Sequence, residues 1–499
     1  MDHPPPAPLR SSPAWLRTGL VALAVVLVAG YGVFLTRYTS PYAAGADSSG
    51  YLNSARLMSQ GKFFTAARAL PGHTAVEFGE AAYQPLGFLL QAGNGRMAPT
   101  YPIGLPLHLL AAAGIAGWAR AGYVVNLLAV LASGGLLWVF ARRLGLARVT
   151  AAAGVIVLWL CPLFLFSAFQ PMSDLLALVW SMAALYAAWR AREELRWGFL
   201  AGIALSLAVL VRPTNVLLAV PLLVALGGQW RSYLAVGVGG LPGAALLMFY
   251  NWKVYGSPIT TGYGDVRSAF STDYLGHNLL HFARWIPVLL TPLVVGGLLA
   301  PFLPRARQRG FAVLATWAGL LIGFYAFYYH SGETWWYLRF ILPAFPALLL
   351  AALLAWESIA EAAQLRRETT IALGSLLLLL SAGWLVWQDG ERDIFYVARN
   401  ERSYPDASHW AQKNLPANTA LFCMQVSGAL YYYTDFILLR WDQITPEKYG
   451  PLLQTIAGQG RPVYAALYEF ETAEAQQRIG GHWTKLATVG QVTFWQRQP

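Results

Sequence analysis

Leu210-Val211-Arg212-Pro213-Thr214-Asn215 stands in the middle of the apolar run 198–228, and its reading decides how often the chain crosses a bilayer. Either one long helix passes through it, or two short helices, 198–212 and 214–228, meet at it. Charge settles the choice. With two helices, the short loops on one side carry Arg142, Arg143 and Arg148, then Arg190, Arg192 and Arg196, then Arg231, then Arg305, Arg307 and Arg309, then Arg366 and Arg367. The tight turns opposite, near 168–173 and 329–337, carry no Lys or Arg. A single helix sends the last two clusters to the other side, against the excess of Lys and Arg that cytoplasmic loops carry. Working outward from this break, the spans are 17–36, 121–141, 149–168, 172–190, 198–212, 214–228, 232–251, 285–303, 310–329, 338–357 and 370–388. Eleven is odd, so the N-terminus is expected in the cytoplasm and the C-terminus outside.

The composition agrees. Of 499 residues, 57% are hydrophobic and 12% charged, against about 25% charged in soluble domains. The apolar residues are gathered into runs near the ~20 residues needed to cross a membrane. Many of the 20 Trp and 25 Tyr stand at the edges of those runs, where interfacial aromatic belts form. The net charge of +11 sits mostly in short loops, so topology explains it and no nucleic-acid partner is implied. Cys161 and Cys423 offer no disulfide framework and no metal spacing, and no cofactor is expected. A basic, Pro-rich cytoplasmic tail, 1–16, precedes an uncleaved first helix, since no Ala-x-Ala site follows it. The whole of 17–388 reads as a membrane domain.

Two regions fall outside the spans. The stretch 101–118 is apolar but short, with Pro102 and Pro106. Counting it as a span inverts every later loop, so it reads as a juxtamembrane or re-entrant helix closing a first outer loop of about 37–120. The tail 389–499 alternates strand-like runs (420–426, 436–439, 463–467, 492–495) with polar helical stretches (404–414, 472–479). It reads as a small α/β domain outside the membrane.

The outer loop opens with Gly45-Ala46-Asp47-Ser48-Ser49-Gly50-Tyr51-Leu52-Asn53-Ser54-Ala55-Arg56-Leu57-Met58. Positions 51, 52, 55 and 58 share one helical face, which predicts an amphipathic helix in the interface plane. Asp47 stands just before it. Position alone suits it to capping that helix. It also suits it to meet a lipid headgroup and a water-soluble partner together.

Asp47, Tyr51, Ala55, Leu57 and Gly61 resemble the start of the GT-C glycosyltransferases, in particular the bacterial protein O-mannosyltransferases and the lipid A aminoarabinose transferase. Tyr101-Pro102-Ile103-Gly104-Leu105-Pro106, Pro171-Met172-Ser173-Asp174, Leu210-Val211-Arg212-Pro213-Thr214 and the run from Tyr337-Leu338-Arg339-Phe340 to Pro346 continue the resemblance, in order, over about 1–390. It implies an enzyme of the cell envelope that moves a sugar from a polyprenyl-phosphate donor to an acceptor (a glycan, a lipid or a protein side chain) at the outer face of the inner membrane. It makes Asp47 the catalytic base. An acceptor hydroxyl is a poor nucleophile until a base takes its proton, and a single displacement inverts the anomeric carbon. The departing lipid phosphate needs fixed cations, for which the arginine fork is suited. Arg339 and Arg212, at the outer ends of spans, are the candidate phosphate ligands. The chain departs from the family twice. Ser48 replaces a second acid, which weakens any metal role. Thr100 and Tyr101 stand where relatives carry Lys, leaving Arg96 as a substitute phosphate contact.

Tyr51, Tyr101, Glu333, Trp335 and Asp174 are the candidate sugar and acceptor contacts. Glu333 also offers an ion-pair partner for Arg339, and Asp174 a helix cap. Trp335 and Trp336, beside His330, suit sugar stacking and interfacial anchoring equally. Glu77, Glu80, Asp265 and Asp273 read as solvated loop charges. His277 and His281 lack a clear third metal ligand. Gly262-Tyr263-Gly264 has no strand–turn–helix context for a nucleotide. Two other functions compete. A flippase for lipid-linked sugars predicts matched broken helices in two halves, and only the break at Arg212 is visible. Such a flippase also has little use for a first outer loop carrying an acid, and a scaffold working through 390–499 would lose everything on deletion of that segment.

Overall fold

The computed structural model describes residues 14–91, 95–308 and 310–498; residues 1–13 of the expected tail lie outside them. The chain begins with α1 (Ala14–Tyr38) and α2 (Gly45–Ser59). A small antiparallel sheet follows, β1 (Thr65–Ala66), β2 (Phe88–Leu90) and β3 (Arg96–Pro99), in the order β1-β3-β2. Next come α3 (Gly104–Ala116), α4 (Trp118–Arg143), α5 (Arg148–Trp159), α6 (Pro162–Ala168), α7 (Ser173–Arg190), α8 (Leu195–Val211), α9 (Ala219–Leu226) and α10 (Trp230–Tyr255). The bundle ends with α11 (Leu275–Leu290), α12 (Pro304–Gln308), α13 (Phe311–Tyr325), α14 (Phe345–Ala362) and α15 (Arg367–Glu391). Five helices are long and apolar enough to cross a membrane, or up to seven if each sharply bent pair is one span. The protein is a polytopic membrane protein. α1, α10 and α15 turn Val21, Leu23, Leu27, Leu234, Val238, Leu241, Leu379 and Leu380 outward. Water would penalise that surface, whereas lipid matches it.

The bundle centre is α7, buried along nearly its whole length from Ser173 to Ala188. α8 and α10 lie backbone to backbone. A Cβ on Gly202 would come within 2.1 Å of the Val236 carbonyl oxygen, and one on Gly239 within 2.0 Å of that of Phe199. Small residues allow this contact where no hydrophobic effect drives helices together.

Every expected span falls on a helix or helix pair, but several are broken, and proline is the reason each time. Arg212 is extended (φ −148°, ψ 108°), and Pro213–Leu218 continues as a 3-10 helix before α9. The expected span 149–168 bends by 62° between α5 and Pro162. The expected span 285–303 is not one helix. The chain turns by 108° at Thr291, and Pro292–Phe302 is 3-10. Thr291 takes φ +84°, and its hydroxyl accepts from the Leu293 amide. The start of the expected span 338–357 is also 3-10, over Trp335–Ala344, with Pro343 inside it.

Beyond α15 lie α16 (Val397–Asn414), β4 (Ala420–Cys423), α17 (Ser427–Tyr433), β5 (Ile437–Arg440), α18 (Tyr449–Gly458), β6 (Val463–Tyr468), α19 (Glu469–Ile479), β7 (Trp483–Val489) and β8 (Val492–Arg497). The sheet order is β5-β4-β6-β8-β7, parallel through β5, β4 and β6 and antiparallel beyond. The edge strand β7, absent from the sequence reading, keeps Lys485 and Leu486 exposed, so burial left little pattern in it. This segment and the first loop share one core. Leu70, Phe78, Ala82 and Tyr83 pack with Phe422, Leu439 and Trp441, and the Arg440 amide donates to the Ala82 carbonyl at 2.7 Å.

Candidate active site

α2 does not lie on a membrane surface. It starts at Gly45, before Asp47, and Ser48 to Ala55 are all buried. Its N-cap is Ala44, without a side-chain cap, so the Asp47 carboxylate is not used in capping. It points instead to Arg339, with Oδ2 2.8 Å from Nη2. The Tyr101 hydroxyl hydrogen-bonds the same carboxylate. The first turn of a helix also favours an anion.

Gly50 makes this possible. It sits one turn beyond Asp47 on the same face. A Cβ there would come within 2.5 Å of the Tyr101 ring and 3.1 Å of the Gly87 Cα. Any larger residue displaces Tyr101 from Asp47. Tyr51 holds the other side of Tyr101, with ring centroids 4.8 Å apart.

A second ion pair lies beside the first. Asp174, in the first turn of α7, pairs with Arg212. Arg212 also donates from Nη1 to the Arg339 carbonyl oxygen at 3.2 Å. Both guanidinium groups lie near the Phe340 ring, Arg212 at 5.6 Å and Arg339 at 5.4 Å from its centroid, a cation–π distance. Two arginines and two carboxylates thus form a neutral cluster. Burial raises the pKa of Asp47, but the Arg339 charge, the Tyr101 hydrogen bond and the more distant Arg212 outweigh it. They hold the carboxyl below its usual value. Burial, then the charge of Asp47, pushes the Tyr101 hydroxyl well up, so it stays a donor.

No family model and no curated protein sequence matches the chain. Solved structures do. ArnT from Cupriavidus metallidurans bound to undecaprenyl phosphate superposes with a TM-score of 0.62 at 14% identity, over 96% of this chain and 98% of that one. Its apo form gives 0.59, also at 14% identity and with the same coverage. The arabinofuranosyltransferase AftD from Mycobacteria gives 0.52 at 13% identity, over 94% of this chain and 41% of its own length. The chain has the GT-C fold.

Within this GT-C fold the other candidates separate. Glu333 pairs with His330 at 2.8 Å and not with Arg339. Trp335 packs against Phe166 at 5.6 Å and lies under Arg392 at 5.9 Å. Arg96 is exposed at the start of β3, opposite Ala66. Four residues, Met97 to Thr100, separate it from Tyr101, the first three of them in β3, a path of roughly 16 Å if fully extended. Asp174 is the buried partner of Arg212 and not a cap, since Met172 holds the cap position. His277 contacts the Gly332 carbonyl oxygen at 3.0 Å. Among the described residues no three His, Cys, Asp or Glu gather around a common point.

One residue of this region escaped the sequence reading. Glu401 lies on α16, one turn before Tyr404, and Tyr404 packs with Ala44 at the start of α2. Burial, then the charge of Asp47, pushes the Glu401 pKa up to about 7. No sequence signal marks it, because it sits in a polar helix 354 positions beyond Asp47.

Proposed function

We propose that the chain is a membrane glycosyltransferase that moves a sugar from a polyprenyl-phosphate donor to an acceptor hydroxyl, with inversion and with Asp47 as general base. The ion pair between Asp47 and Arg339 carries the reading. A carboxylate held this firmly is a weak base, since a base works best with a pKa near the working pH. A lipid phosphate entering the cluster draws Arg339 to itself and frees Asp47. Base strength then rises only when donor is bound. The acceptor O–H proton passes to Asp47, the new C–O bond forms at the anomeric carbon, and the bond from that carbon to the phosphate oxygen breaks. The lipid phosphate leaves into the fork of Arg339, with Arg212 behind it. Tyr101 orients the base, and Tyr51 supports Tyr101. The undecaprenyl phosphate bound by ArnT supports the donor class, and the GT-C fold supports the reaction class.

The same reading takes eleven spans, with the N-terminus cytoplasmic and both the Asp47 cluster and the segment 389–499 on the outer side of a cell inner membrane. The twelve arginines of the opposite loops support it. The acceptor remains a glycan, a lipid or a protein side chain. The test is release of polyprenyl phosphate from a panel of lipid-phosphate sugars by protein in bilayers, with wild type beside Asp47→Asn. Equal consumption of a donor by both removes Asp47 as the base.

A further inference from the structure

Beyond the turn at Thr291, at the end of the bundle remote from Asp47, a cavity of about 670 Å³ lies between α5, α14, α15 and the chain that follows the turn. Its walls are apolar, with Val157, Leu293, Leu353 and Leu378 among them. Its floor is the Thr291–Ser381 hydroxyl pair, 3.2 Å apart. Its rim carries Arg148 and Arg367. From Arg367 to Ser381 the cleft follows α15 for about 21 Å, more than half of a ~30 Å hydrocarbon core. The rim lies roughly 30 Å along the chain axis from Arg339.

Charge names the occupant. Arg148 and Arg367 are exposed, and neither has an ion-pair partner among the described residues. Of the acids at the rim, Glu357 accepts from the Ala147 amide at 2.5 Å, and Glu361 is also engaged. An apolar slot as deep as a lipid leaflet, topped by two available guanidinium groups, fits an acyl chain beneath an anionic headgroup. We propose that this cleft is a structural site for one anionic phospholipid of the leaflet opposite the Asp47 cluster. Its assignment to the cytoplasmic leaflet rests on the topology proposed above; the binding itself does not.

The test uses the full chain, delipidated in detergent and titrated with phosphatidylglycerol or phosphatidylcholine, with retained lipid read by native mass spectrometry. Wild type retains one phosphatidylglycerol in preference to phosphatidylcholine. Arg148→Ala/Arg367→Ala weakens retention on the order of 30-fold, taking about 1 kcal/mol for each basic residue near a lipid surface. Arg148→Lys/Arg367→Lys retains the lipid. Gly374→Leu abolishes retention at an unchanged melting temperature, because a Cβ there meets only Trp356, at 3.6 Å, and the rest enters the cleft. Equal retention of both lipids, or wild-type retention by the alanine pair, overturns the proposal. So does displacement of phosphatidylglycerol by polyprenyl phosphate. Donor turnover is not part of this readout, so its failure and that of the proposed activity are told apart.

Discussion

Asp47 and Arg339 are 292 positions apart in sequence and 2.8 Å apart in space. The pair joins the first turn of α2 to the 3-10 stretch ahead of α14. It makes the proposed base and the proposed phosphate ligand compete for each other until a donor arrives.

Removing Arg339 therefore does two things. Arg339→Met is expected to lower donor turnover on the order of 10²-fold or more, as for loss of a preorganised charge donor. It also takes away the main influence that holds the Asp47 pKa down. Burial then dominates and the pKa rises. The acid limb of the pH profile of kcat/KM, which reports the free enzyme, should move to higher pH. An unmoved limb would show that Asp47 is not the titrating base.

The Asp174–Arg212 pair is buried, with side-chain exposures of 2% and 12%. Breaking such a pair costs about 3–5 kcal/mol, whereas replacing both partners with apolar residues is often neutral. Arg212→Met alone should lower the melting temperature strongly. Asp174→Leu/Arg212→Met should recover most of that loss and leave the enzyme inactive. Recovery of activity together with stability would remove Arg212 from phosphate binding.

Gly50→Ala should abolish turnover by pushing the Tyr101 ring from Asp47, given the 2.5 Å approach. Tyr101→Phe keeps the ring and deletes only the hydrogen bond to Asp47. It should retain stability and lose about tenfold in kcat, with little change in KM. If Gly50→Ala proves as active as wild type, Tyr101 does not position the base.

Glu401 has a pKa raised from 4.5 to about 7. A carboxyl with a raised folded pKa holds more protons folded than unfolded, so stability falls as pH rises from about 4.5 through 7. Glu401→Gln should flatten the melting temperature over that window and raise it at pH 8. A slope equal to that of wild type would place Glu401 elsewhere.

Local sequence carried much of this. Apolar runs located most of the bundle helices, though not α12 nor most of α11, and Arg212-Pro213 located a break, because both depend on neighbours along the chain. Asp47, Tyr51, Tyr101, Asp174, Arg212 and Arg339 stood in the quoted motifs, and the fold brings them together. Trp335 packs instead against Phe166 and Arg392, and the local backbone gives the reason. Four residues before Arg339, it would share a face with it in an α-helix. At 3.0 residues per turn it does not, and the residue aligned with Arg339 is Trp336. Arg96 stands apart from Tyr101 because the extended backbone of β3 separates positions faster than a helix does.

By itself the sequence determined that this chain is a multi-pass membrane protein and where most of its helices lie. Each of these follows from transfer of side chains between water and lipid, summed over short windows. Tertiary structure alone decided that Arg339 pairs with Asp47 and not Glu333, that Asp174 is a charge partner and not a cap, and that Glu401 reaches the start of α2. It also decided that the first loop and the last sheet share a core. Those are choices among competing long-range partners, and they turn on distances of a few ångströms that the bent 3-10 segments and the Gly50–Tyr101 contact impose.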